Sequence, residues 1–156
     1  MTVIGKLLAV SVSESKGTRK RNVPEAEIKT AYGICGDAHA GAWHRQVSLL
    51  ASESIAKMTE KGLQVSAGDF AENLTTAGVE LVSLPLGTIL AVGEEVLLEV
   101  SQIGKECHTR CAIYYQAGDC VMPREGIFAK VLRGGMVRPG DRVTILEEEH
   151  SEGSAC

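Results

Sequence analysis

The densest gathering of reactive side chains is QIGKECHTRCAIYYQAGDCVMPREG, residues 102–126. Cys107, His108, Cys111 and Cys120 fall there beside Lys105, Arg110 and Arg124. Positive charge near a cysteine favours the thiolate, the form that attacks sulfur or coordinates a metal. Cys107, flanked by Glu106, His108 and Thr109, is the candidate nucleophile. Cys111 leads into the apolar AIYY, and it and Cys120 also read as buried small hydrophobes. A metal site stays open as an alternative. The C-x3-C spacing departs from the paired C-x2-C of structural zinc sites, but Cys107, Cys111 and Cys120 could hold zinc or an iron–sulfur cluster, with Cys35 or His39 completing four ligands.

Three further segments carry polar groups. KGTRKR supplies Lys16, Arg19, Lys20 and Arg21, a cluster suited to phosphate or another small anion, or simply to a solvated loop. GDAHAGAWHRQVSLL brings Asp37, His39, His44 and Arg45 into a glycine-rich stretch, where they could orient ligand atoms or hydrogen-bond a turn. GDFAENLTT adds Asp69, Glu72, Asn73 and Thr75, though Asn and Thr near strands often serve neighbouring backbone. G-x-S-x-G, H-E-x-x-H, Walker and G-x-G-x-x-G patterns are all missing, so hydrolase, zincin, NTPase and dinucleotide-binding readings lack their signatures.

The elements that must position these residues read as mainly β. VIGKLLAVSV, residues 3–12, forms a first strand; Lys6 interrupts it and no basic region precedes it, which argues against a signal sequence. SESKGTRKRN follows as an exposed basic loop, and EIKTAYGI as a second extended segment. One helix is expected in the second half of QVSLLASESIAKMTEKG, capped by Ser52 or Ser54, with Ile55 and Met58 on one face and Gly62 as the left-handed stop. Beyond it AENLTT, TILAV, EVLLEVSQI, GIFAKVL and RVTIL alternate with Gly-Asp, Gly-Glu, Gly-Gly and Pro-Gly pairs, the spacing of a barrel or sandwich.

Size and composition agree with this. The 156 residues suit one domain, and at 4% aromatic the core must be built from Val, Ile, Leu and Ala. The net charge of −4 resides in the final EEEHSEGSAC, residues 147–156, which reads as an acidic disordered tail. A neutral body with few aromatics and no binding signature argues against nucleic acid. No apolar run is long enough to span a membrane as a helix. Five cysteines, an odd number, fit a reducing cytoplasm better than a disulfide framework.

Taken in order, SESKGTRK, GICGDAHAGAWHRQVSLL, GDFAENLTT, LPLGT, LEVSQIGKECH, GDCVMPREGIFAKVLRGG and RPGD resemble the MOSC family, named for the C-terminal domain of molybdenum cofactor sulfurase, in its small stand-alone form. The resemblance runs from about residue 3 to 146, making 1–146 the MOSC domain and 147–156 the tail. It implies a closed or partly closed β-barrel, and a role in binding the molybdenum cofactor (molybdopterin), or its tungsten counterpart, or in delivering sulfur to it. The family's characteristic cysteine falls on Cys107, carrying a persulfide or meeting the metal; Cys111 and Cys120 are alternative ligands. Lys16, Arg19, Lys20, Arg45 and Arg124 then serve as cofactor-binding cations, and Asp37, His39 and Asn73 orient the pterin. The chain has no room for a pyridoxal-phosphate desulfurase, so sulfur would come from a separate cysteine desulfurase and pass to a molybdoenzyme acceptor. Oligomeric state is not implied.

Overall fold

In a computed structural model of the protein, residues 4–15, 19–104 and 125–146 are described. Their strands are β1 (Ile4–Val12), β2 (Arg21–Val23), β3 (Ala26–Lys29), β4 (Gly33–Ile34), β5 (Val47–Ala51), β6 (Leu74–Ala77), β7 (Ile89–Val92), β8 (Val96–Ile103), β9 (Ile127–Arg133), β10 (Gly135–Val137) and β11 (Arg142–Leu146). A helix, α1 (Ser52–Glu60), follows β5, and a short 3₁₀ turn spans Leu81–Ser83.

Seven strands form a closed barrel in the order β11-β7-β8-β9-β5-β6-β1. Ile4–Lys6 of β1 completes the ring by pairing antiparallel with Arg142–Thr144 of β11. The expected mainly β, barrel-like architecture is therefore present. β2 extends the far half of β1 outside the ring, and β10, β3 and β4 form a small second sheet.

Alternation in the sequence fixes which side chains enter the barrel. Val96, Leu98 and Val100 of β8 point inward beside Leu90 and Val92 of β7 and Val143 of β11. In β1 the pairing with β6 shifts by one residue between Leu7 and Ala9. That bulge switches the inward face from odd positions at Leu7 to even ones at Val10 and Val12, and leaves Leu8 exposed.

β5 is buried along its whole length because both of its faces are covered. Val47, Leu49 and Ala51 enter the barrel, while Leu50 joins Ile55, Met58, Leu63, Phe70 and Phe128 beneath α1. β5 and β6 run parallel, and α1 is the crossover between them.

The sequence places this helix correctly but not its cap. Ala51 occupies the N-cap position, because β5 runs directly into the helix. Ser52 is already helical, and Ser54 donates to Glu125 Oε1 at 2.5 Å rather than capping. Gly62, at φ +94°, supplies the expected left-handed stop. The basic loop also differs from expectation: Arg21–Val23 pairs with β1, and Lys20 is only 4% exposed. No helix among the described residues is long and apolar enough to cross a membrane.

Candidate functional site

Immediately after β4 the chain turns through Gly36, whose φ of +85° suits glycine, and presents Asp37 to three donors. The Ser13 and His39 N–H groups donate to its two carboxylate oxygens at 3.0 Å each, and Lys20 Nζ donates at 2.8 Å. Lys20 also donates to Ser13 Oγ at 2.9 Å. The side chains of Lys20 and Asp37 have no solvent exposure. Burial alone would push the Asp37 carboxyl up, but His39, Lys20 and Ser13 outweigh it and hold the group well below the usual carboxylate range.

His39 continues the cluster. Its ring lies parallel to that of Trp43 with centroids 6.5 Å apart, and Trp43 Nε1 donates to the His39 carbonyl at 2.7 Å. His39 Nδ1 is buried without a hydrogen-bond partner among the described residues, 3.7 Å from Asp37 Oδ2. Arg45 places its guanidinium 5.8 Å from the Trp43 ring centroid and 5.1 Å from that of Phe128, a cation–π arrangement on two rings. Its Nε donates to Gln102 Oε1 at 3.0 Å, and His44 Nε2 lies 2.6 Å from the same oxygen. A contiguous chain thus runs from Lys20 through Asp37, His39, Trp43 and Arg45 to Gln102.

Two internal stretches lie outside the described residues. Residues 16–18, with Lys16, lie between Ser15, whose carbonyl accepts from Ser13 Oγ, and Lys20. Residues 105–124, with Cys107, Cys111, Cys120 and Arg124, connect β8 to β9. The roots of that connection are tied by a Gly104 N–H bond to the Gly126 carbonyl at 2.7 Å, and Glu125 meets Lys57 Nζ at 2.7 Å. Lys16, Cys107, Cys111, Cys120 and Arg124, expected at the site from the sequence, therefore lie outside the described residues, and so does the expected acidic tail.

The other expected residues separate into distinct roles. Arg19 is half exposed, 3.8 Å from Asp69. The charge of Lys20 is already met by Asp37, so within the described structure it is a buried fastener rather than an open cation. Asn73 is fully buried: its Oδ1 accepts from the Ser48 N–H at 2.9 Å and from Ser48 Oγ at 3.1 Å, and its Nδ2 donates to the Ser11 carbonyl at 3.1 Å. Its amide is committed to β1, β5 and the entry to β6. Glu72 beside it accepts from the Gly68 and Phe70 N–H groups and from Thr75 Oγ1. Burial pushes its carboxyl above the usual range despite those donors.

Ser13, Trp43 and Gln102 enter the site without having been singled out in the sequence. Only the position of Gln102 at the end of a strand rich in alternating apolar residues hinted at it. Cys35 is a free, partly buried thiol. Among the described residues no three His, Cys, Asp or Glu side chains gather as a metal site.

Comparison with known proteins follows the same lines. The sequence model of the MOSC domain matches residues 36–144. No curated protein matches the chain. Among solved structures, the YUAD protein from Bacillus subtilis superposes with a TM-score of 0.77 at 17% identity, over 93% of this chain and 97% of that one. YiiM from Geobacillus stearothermophilus gives 0.68 at 20% identity, over 92% and 76%. YiiM from Escherichia coli gives 0.63 at 21% identity, over 91% and 70%. At these identities the likeness establishes a shared fold.

Proposed function

Because the chain belongs to the MOSC domain family, we propose that it handles the molybdenum cofactor, or its tungsten counterpart, as cargo, with Cys107 holding sulfur for it or contacting its metal. The observation that carries this reading is where the cysteine-bearing connection is rooted. Residues 105–124 leave β8 and return to β9 beside Gln102, which holds His44 and Arg45.

The residues present fit an anionic pterin ligand. The Nη1 and Nη2 atoms of Arg45 have no hydrogen-bond partner among the described residues, while its Nε and both ring contacts keep the guanidinium in place. That leaves a planar pair of donors suited to phosphate. Arg19, Lys16 and Arg124 add positive charge in this reading, and the orphaned Nδ1 of His39 offers a buried polar contact to a ring heteroatom. The bound cofactor would supply the metal at which sulfur is accepted; the chain would supply charge neutralisation, orientation and a thiol.

As a carrier, Cys107 would attack the terminal sulfur of a donor persulfide as the thiolate. A new S–S bond forms on Cys107, and the donor cysteine leaves as its own thiolate. The donor is then a cysteine desulfurase and the recipient the cofactor on its way to a molybdoenzyme. A persulfide on Cys107 that is labile to cyanide after incubation with a desulfurase and cysteine is the expected result. Replacing Cys107, Cys111 and Cys120 singly by Ala separates the alternative. Stoichiometric zinc or iron lost equally in all three variants would replace this reading with a structural metal site.

A further inference from the structure

Gln102 joins three groups whose hydrogen-bonding capacities differ. Its Oε1 accepts from Arg45 Nε at 3.0 Å and lies 2.6 Å from His44 Nε2, while its own Nε2 donates to the Gly104 carbonyl at 2.7 Å. A guanidinium only donates and a carbonyl only accepts, so these two partners together fix which end of the amide is oxygen. With oxygen facing His44, the imidazole nitrogen there must be the donor. A neutral His44 therefore carries its proton on Nε2 and presents a lone pair at Nδ1. The Ser101 hydroxyl donates to the His44 carbonyl and so anchors its backbone as well. His44 is exposed, and neither its Nδ1 nor the Nη atoms of Arg45 bond to any described residue.

We propose that Gln102 is the positioning residue of this site. It aims the open edge of Arg45 at an oxyanion and holds His44 in the tautomer whose Nδ1 accepts from an N–H or O–H of the same ligand. The pair then selects ligands that present an acceptor anion together with a hydrogen donor, rather than anions alone. The inference rests on the cofactor-handling reading only for the ligand's identity; the tautomer and the aim of Arg45 follow from this geometry.

The test is ¹⁵N spectroscopy of the histidine rings at a pH where the imidazole is neutral, with inorganic phosphate titrated as the probe. Wild type is expected to show His44 protonated at Nε2 and to bind phosphate. Gln102→Met should release the proton to both nitrogens and weaken phosphate binding roughly tenfold, the worth of one positioned charge-assisted hydrogen bond. Gln102→Glu keeps the acceptors and should restore the Nε2 tautomer. A wild-type His44 protonated at Nδ1 overturns the proposal without any variant, so the outcome does not depend on Gln102→Met folding. A Gln102→Met protein with unchanged tautomer and phosphate affinity overturns it too, as does wild type that binds no phosphate. Persulfide and metal content do not enter these readouts, so the functional reading can fail while this one stands.

Discussion

Asp37 and Glu72 are both carboxylates shielded from solvent, yet pH moves their contributions in opposite directions. Asp37 is held below its ordinary value, so the stability it contributes is present at neutral pH and is lost as pH falls through about 4 and beyond. Glu72 is held above its ordinary value, so its contribution is complete below about pH 4 and declines as pH rises through its raised value. Asp37→Asn strands the Lys20 ammonium in the interior and should cost about 3–5 kcal/mol at neutral pH. Urea unfolding at stepped pH should show that deficit shrinking below about pH 4. The difference between wild type and Glu72→Gln should instead be most favourable to wild type in acid and decline toward neutrality. Parallel pH dependences for the two variants would contradict both assignments. None of this was legible in the sequence. Lys20 and Asp37 are seventeen positions apart, and only the folded turn after β4 turns a presumed surface cation into a buried partner.

At the scale of elements, the barrel depends on side chains that tie strand ends together. Asn73 bonds to Ser48 on β5 and to Ser11 on β1 from the entry to β6. Asn73→Ala would leave buried backbone groups unmatched, at a cost of about 2–3 kcal/mol. Calorimetry should show this as a fall in Tm of roughly 5–10 °C. Gly68 sits at φ +92°, and a Cβ there would lie 2.4 Å from the Lys20 carbonyl oxygen. Gly68→Ala should therefore destabilise the Lys20 turn and lower the Tm, a strain that a flexible loop would not show. Strong local periodicity made β1, β7, β8, β9, β11 and α1 readable in advance. The three-residue strands β2 and β10 escaped, because at that length only their partners β1 and β3 define them as strands. The cap of α1 was misread for a related reason: the hydroxyl of Ser54 is claimed by Glu125, seventy-one residues further along.

For the whole molecule, pairing of β1 with β11 closes the barrel, and the folded chain brings sequence-distant segments together at the candidate site. The GDAHAGAWHRQ turn lies against the end of β8, from which the cysteine-bearing connection departs. The family was legible from several short motifs in fixed order, and the barrel followed from it. Composition and periodicity alone reached only a β-rich barrel or sandwich and a candidate reactive thiol, with zinc or cluster ligation as the alternative. The division of labour within the motifs was not legible, because Asp37, Lys20 and Asn73 are spent on holding the scaffold, whereas the Nη donors of Arg45 meet no partner among the described residues. Anaerobic purification followed by intact mass and metal analysis, wild type beside Cys107→Ala, addresses the cofactor-handling claim most directly. Wild type should carry molybdenum or tungsten with pterin, or one additional cyanide-labile sulfur, and Cys107→Ala should carry neither. A wild-type protein with none of these, or an alanine variant loaded to the same level, would contradict it.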